Sequence, residues 1–300
     1  MTMGVRELSQ PPRSLDLTLR AALPMIPGAS RLPFVAGGGS AMPDTVLSLE
    51  QATLETDRLT AYLEVCGFAP ADTLPATAPH LIAFPLHMLL MTDGRFPVAP
   101  IGLVHVANQI SLHRPIGVDE PLGMKVRATG LEVHGRGRSF DLISEARAGE
   151  ELVWEERSTM LRRGGDGARS GKSPQRARPS PSAQPGAPQI AQHWTLHEDL
   201  GRRYAAVSGD RNPIHMHALA ARLFGFPRAI AHGMWTKARC LAALSATLPD
   251  AYTAQVEFRR PILLPGAVFF ASAGEPHATS FGVRSGEDRA TIHLEGTVSA

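Results

Sequence analysis

Cysteine is scarce: 300 residues hold two, Cys66 and Cys240, far apart and in no metal-binding or redox spacing. A disulfide-stapled scaffold and a cysteine-based zinc module are thereby excluded, and a reducing, cytoplasmic setting is expected. Long apolar runs are missing too. The richest, Leu81 to Met91, is interrupted by Pro85 and His87 and falls short of a membrane span. No continuous apolar stretch precedes a small-residue cleavage site near the start, so no secretory signal is expected. Nor does one sign of charge dominate. The formal net charge is +2. Much of the basic excess lies in Arg162, Arg163, Arg169, Lys172, Arg176 and Arg178, against the single acid Asp166. Outside that stretch the chain is slightly acidic, which speaks against nucleic acid as a partner.

Residues 164–189 contain no leucine, isoleucine, valine or aromatic residue. Such a segment buries too little apolar surface to offset its ordering entropy, so 164–190 reads as a flexible linker. Residues 1–45, with Gly37-Gly38-Gly39 and many prolines, read as loosely ordered apart from a short helix over 15–23. The halves on either side of the linker, 46–163 and 191–300, resemble each other. Asp57 to Gly67 parallels Asp199 to Gly209, with a tyrosine and a terminal glycine at the same spacing. Asn108-Gln-Ile-Ser-Leu-His-Arg-Pro-Ile116 parallels Ala254-Gln-Val-Glu-Phe-Arg-Arg-Pro-Ile262. Matches in the same order point to a duplicated domain.

Each half opens with helices and closes with strands. Residues 233–246 are apolar on most of their surface, which predicts a buried helix; 84–92 is its counterpart. A single amphipathic helix is expected over 213–223, stopped at Gly225. From Gln255 onward the apolar period changes to two, giving strands over 267–271, 280–283 and 291–298. Matching strands are expected over 104–112, 124–131, 140–146 and 153–161. One buried helix wrapped by an antiparallel sheet, twice over, is an α+β architecture.

The chemistry concentrates between Tyr204 and Met234. Gly209 permits a sharp bend before Asp210. Asn212-Pro213 reads as a cap followed by the first helical residue, which places His215 in the first turn of a helix. Asp210 and His215 therefore converge on one volume before a helix N-terminus, an arrangement suited to acid–base work on a small molecule. Taken singly each has a plainer reading, as a loop aspartate bonding its own backbone and a histidine filling a gap. His217, two residues beyond His215, faces elsewhere and does not make a zinc pair. Arg259 and Arg260 are at least as well explained by an exposed strand as by a ligand.

Ser208-Gly209-Asp210-x-Asn212-Pro213-Ile214-His215, followed by Ala231-His232-Gly233-Met234, resembles the signature of the MaoC-like (R)-specific enoyl-thioester hydratase and dehydratase family. Arg260-Pro261-Ile262 fits it too. The resemblance is close over 191–300 and extends to 46–163 as the repeat of a double hot-dog fold. It implies that Asp210 and His215 form a catalytic dyad that adds water across the C2–C3 bond of a trans-2-enoyl thioester, and reverses that reaction. Which of the two is the base stays open. It implies further that the Gly233 N–H meets charge developing on the thioester oxygen. Asn212, His232 and Arg260 are expected to contact or position substrate. No metal and no cofactor are implied. The partner is an acyl-CoA or acyl-carrier-protein thioester, and a homodimer of the chain is a further expectation. The first half lacks a Gly-Asp-x-Asn-Pro; Phe68 and Thr73 fall near the positions of the dyad, so that half is expected to shape the acyl pocket without chemistry. A hot-dog thioesterase, or a non-catalytic acyl-binding partner subunit, are the alternative functions.

Overall fold

A computed structural model describes residues 4–12, 14–25, 32, 34–134, 137–163, 190–275 and 278–300. The expected linker falls outside these, except for Ile190. In chain order the first half comprises β1 (Gly4–Leu8), α1 (Ser14–Ala22), β2 (Thr45–Ala52), α2 (Thr56–Cys66), α3 (His80–Met91), β3 (Leu103–Leu112), β4 (Leu122–His134), β5 (Gly137–Ala148) and β6 (Glu151–Arg163). The second half comprises β7 (Ile190–Leu196), α4 (Leu200–Ser208), α5 (Pro213–Met216), α6 (Ala218–Leu223), α7 (Gly233–Leu244), β8 (Tyr252–Phe258), β9 (Gly266–Glu275), β10 (Ala278–Ser285) and β11 (Thr291–Ser299). All the strands join one sheet, ordered β1-β2-β4-β5-β6-β3-β8-β11-β10-β9-β7. This is an α+β hot-dog architecture, doubled.

The duplication is visible in the hydrogen bonds. From the β3–β8 junction outward the strands match in pairs: β3 with β8, β6 with β11, β5 with β10, β4 with β9, β2 with β7. At the junction Gln109 faces Gln255, residues at equivalent places in the two aligned motifs. Leu74 N donates to Ile116 O at 2.8 Å, as Ala231 N donates to Ile262 O at 2.9 Å. Beside them, Thr73 bridges Gly117 just as Ile230 bridges Leu263. Thr73 is therefore the counterpart of Ile230, not of a residue near His215 as spacing alone suggests.

Helices α2 and α4 both stop at a left-handed glycine, Gly67 (φ 77°) and Gly209 (φ 81°). Helices α3 and α7 are the buried central pair. Leu81 and Leu86 of α3 are fully buried, each stabilising the fold by about 1.5–3 kcal/mol relative to exposure. Pro85 lies inside α3 and removes the N–H that Leu81 O would accept. Arg58 of α2 supplies the replacement at 3.2 Å and also donates to Val207 O, near the end of α4, at 2.7 Å. One guanidinium thus satisfies two orphan carbonyls and ties the halves together. One continuous apolar core runs through both, and a smaller cluster of Ile214, Ala221, Phe226 and Ile230 lies apart from it.

Two further expectations differ from the structure. The helix expected over 213–223 is two short helices, split at His217 in extended backbone (φ −147°, ψ 140°). A continuous helix needs Ile214 O to accept from Ala218 N, but that carbonyl accepts from Ile230 N at 3.1 Å. A tertiary bond replaces the local one. Within 1–45, the helix expected over 15–23 is present as α1, which buries Leu17 and Ala21, and a strand not expected there, β1, pairs in parallel with β2.

Candidate active site

The 210–215 segment is held by its own side chains. Asp210 Oδ1 accepts from Asn212 N at 3.1 Å, closing an Asx turn. Asn212 Oδ1 accepts from Ile214 N at 3.4 Å and caps α5, with Pro213 as its first residue. His215 points inward from that turn, and its Nδ1 lies 2.7 Å from Ile230 O. A carbonyl only accepts, so Nδ1 carries the proton and Nε2 keeps a lone pair. Gly201 of α4 allows the close packing: a Cβ there would meet His215 O at 2.0 Å.

His232, the residue before α7, stacks on His215 with ring centroids 3.7 Å apart. Its Nε2 lies 3.0 Å from Asp210 O and 3.8 Å from the Asp210 carboxylate. Burial, together with His215 alongside, pushes the His232 pKa down to about 3. Burial likewise lowers the pKa of His215, against the opposing pull of Asp210 and the Ile230 carbonyl. For Asp210, burial works to raise the carboxyl, but His232, His215 and the Asn212 N–H hold it below the ordinary carboxylate value. At neutral pH the site thus presents an ionised carboxylate and a neutral imidazole.

Ligand-type atoms of Asp210, His215 and His232 all lie within 4.8 Å of one another. They face a cavity of roughly 260 Å³ that Asn212, Gly233 and Arg260 also line. Every residue expected at the site from sequence therefore meets there. Gly233 opens α7, so its N–H belongs to the orphan donors at the positive end of a buried helix. Phe258 ring atoms would lie 3.1 Å from a Cβ at this glycine. Arg260 is exposed at the cavity and makes no ion pair among the described residues, whereas Arg259 pairs with Glu257 at 2.6 Å and Glu295 at 3.1 Å. The cavity continues into the first half, where Phe84, Met88 and Met91 of α3 and Met160 of β6 form its wall.

Residues 181–290 match the family described as MaoC like domain. The chain is 37% identical over 257 residues to 3-hydroxyacyl-thioester dehydratase X of Mycobacterium tuberculosis, covering 85% of this chain and 86% of that protein. The chain belongs to the MaoC-like dehydratase family. Membership places it among the hydro-lyases. A second relative, the peroxisomal enoyl-CoA hydratase 2 of Arabidopsis thaliana, is 32% identical over half of each chain (50% and 51%). The crystal structure of HtdX from M. tuberculosis superposes with a TM-score of 0.73 at 33% identity, over 85% of this chain and 99% of that one. A further M. tuberculosis protein, described as having a double hotdog fold, matches at TM-score 0.51 and 13% identity, which bears on the fold alone.

Within the family frame, the first half contributes polar groups that sequence reasoning missed. Glu156 of β6, almost fully buried, accepts from His80 Nδ1 at 2.9 Å and from Asn108 Nδ2 at 2.7 Å. Asn108 Oδ1 in turn accepts from Lys237 of α7, which also donates to Ala254 O at 2.9 Å. Burial pushes Lys237 down to about 7. Burial works to raise Glu156, but His80, His87 and His105 together hold it at about 2. A signal was available: a glutamate at an inward position of an alternating strand, and histidines on an otherwise apolar helix. Among the described residues, His80, His87 and Glu156 form the second group whose atoms come within 4.8 Å, besides Asp210, His215 and His232. In the former, His80 and Glu156 bond each other, Glu156 also bonds Asn108, and His87 bonds Ser144 at 2.7 Å. No helix of the described residues is long and apolar enough to cross a membrane.

Proposed function

We propose that the protein interconverts trans-2-enoyl thioesters and (3R)-hydroxyacyl thioesters of coenzyme A or acyl carrier protein, using Asp210 and His215 to handle one water molecule. The observation that carries this reading is an ionised carboxylate and a neutral imidazole with ligand-type atoms within 4.8 Å of each other, in one cavity, beside the first N–H of a buried helix. Names of the relatives agree: a 3-hydroxyacyl-thioester dehydratase and an enoyl-CoA hydratase.

Two acceptors this close take both hydrogens of a bridging water and leave an oxygen lone pair to attack C3. As the C–O bond forms, one acceptor takes the water proton. The C2–C3 π electrons move toward the thioester, and negative charge builds on its oxygen. The Gly233 N–H and the positive end of α7 meet that charge; a single such donor lowers the barrier by about 2.7–4 kcal/mol. A proton returned to C2 completes addition, and dehydration runs the same steps backward. A positioned acid–base group adds a factor of roughly 10²–10⁴. Asn212 keeps the Asx turn and cap in register, and His232 fixes the Asp210 backbone through its Nε2. Arg260, exposed at the cavity without an ion pair among the described residues, suits the phosphates of the carrier. The first half supplies the wall for the acyl chain.

The test is incubation with crotonyl-CoA, following loss of enoyl absorbance and then product chirality. Formation of the (3R)-hydroxy product is expected. Release of free thiol would point instead to a thioesterase, and tight acyl-CoA binding without turnover on any chain to a non-catalytic subunit.

A further inference from the structure

The wall that the first half gives the cavity is not uniformly apolar. Among Phe84, Met88 and Met160 stand His80, His105 and Ser158. A plain hydrocarbon chain gains nothing from imidazole edges, and desolvating them costs free energy. His80 is anchored: its Nδ1 is held by Glu156, so its Nε2 is the nitrogen left for a ligand. His105, on the adjacent strand β3, has its Nε2 buried with no hydrogen-bond partner among the described residues. A buried polar atom without a partner is unfavourable, and a ligand that bonds it removes the penalty. Glu156, itself held by Asn108, which Lys237 bonds in turn, locks His80 from behind, so the geometry of that imidazole is fixed before any substrate enters.

We propose that His80 and His105 form a polar subsite for an uncharged oxygen, a hydroxyl or a ketone, carried on the acyl chain of the substrate. The proposal rests on the hydro-lyase reading of the same cavity and names its substrate class: oxygenated acyl thioesters. Charge selects the neutral group. Glu156 sits directly behind His80, and the Asp210 carboxylate is near enough to interact electrostatically with His80 and His105. A carboxylate brought between two carboxylates is repelled, whereas a hydroxyl or carbonyl is not. An imidazole nitrogen donates to either group in one tautomer, and accepts from a hydroxyl in the other.

The test compares trans-2-decenoyl-CoA with the same chain bearing a hydroxyl at successive carbons from C5 onward. For the wild-type protein, one hydroxyl position is expected to raise kcat/KM about tenfold over the plain chain, the size of one added hydrogen bond. His105→Phe and His80→Gln should each bring that ratio toward one. The same ligands are titrated calorimetrically into Asp210→Asn, where binding is read without turnover. If no enoyl thioester reacts but the hydroxylated chain still binds about tenfold tighter, the hydratase reading fails and the subsite stands. If every hydroxylated chain is equal to or poorer than the plain one in both rate and binding, the subsite is overturned. An advantage that persists undiminished in both variants overturns it as well.

Discussion

The two halves share one plan and differ in one connection. Between Gly67 and Thr73 the first half spends residues 68–72; between Gly209 and Ile230 the second spends residues 210–229. Strand order, left-handed glycine and bridge are the same on both sides, so the difference lies in the loop. The longer one carries Asp210, Asn212 and His215 and has room for α5 and α6. The shorter one carries no carboxylate–imidazole pair, and its half instead buries Glu156, His80 and Asn108 beneath the cavity. The two copies of the scaffold thus differ in what they present to the cavity: one carries a carboxylate and imidazoles on an extended loop, and the other a buried polar cluster.

The largest test of that division compares His215→Ala with Thr73→Ala. The first should lower kcat by roughly 10²–10⁴. Thr73 is exposed, and its replacement should change kcat by no more than about threefold. Initial rates on one enoyl thioester check both. Next is the buried pair of the first half. His80→Leu alone leaves Glu156 without its imidazole and should cost about 3–5 kcal/mol in urea unfolding; His80→Leu with Glu156→Leu should cost less. Equal costs would mean that the pair is not coupled.

Gly201→Ala should come third, because its Cβ would meet His215 O at 2.0 Å. About 1–3 kcal/mol of overpacking is expected, with a fall in kcat as the imidazole is displaced. Acid then probes both halves at once. His105 is held at about 4, His87 and His232 at about 3, in each case by burial first. Below about pH 6.5 the unfolded chain binds more protons than the folded one, so Tm should fall steadily as pH drops from about 6.5 toward 3. The acid limb of kcat/KM should lie below about pH 6.5, because the lowered pKa of His215 keeps Nε2 unprotonated above it. The smallest effect is expected from Met88→Trp, which fills the first-half wall: it should slow long enoyl chains and leave crotonyl-CoA nearly unchanged.

Much of the fold was legible because the duplication repeats strong local signals. Gly67 and Gly209, matched positions of the repeat, both end a helix, and the Arg-Pro-Ile motifs follow strands that pair across the centre of the molecule. Asp210, Asn212 and His215 were legible because a cap, a proline and a glycine fix their geometry locally. What stayed hidden was tertiary. Ile214 O bonds Ile230 N rather than continuing its helix, and no local propensity encodes that choice. The bonds from Lys237 to Asn108 and from Asn108 to Glu156 join residues far apart in sequence, through side chains that look like solitary polar intruders in apolar segments.

The most direct measurement follows enoyl absorbance of crotonyl-CoA with wild-type protein and Asp210→Asn side by side, with circular dichroism of each. The account predicts turnover by the first and a rate at least about a hundredfold lower for the second at unchanged ellipticity. Equal rates in two equally folded proteins would contradict it.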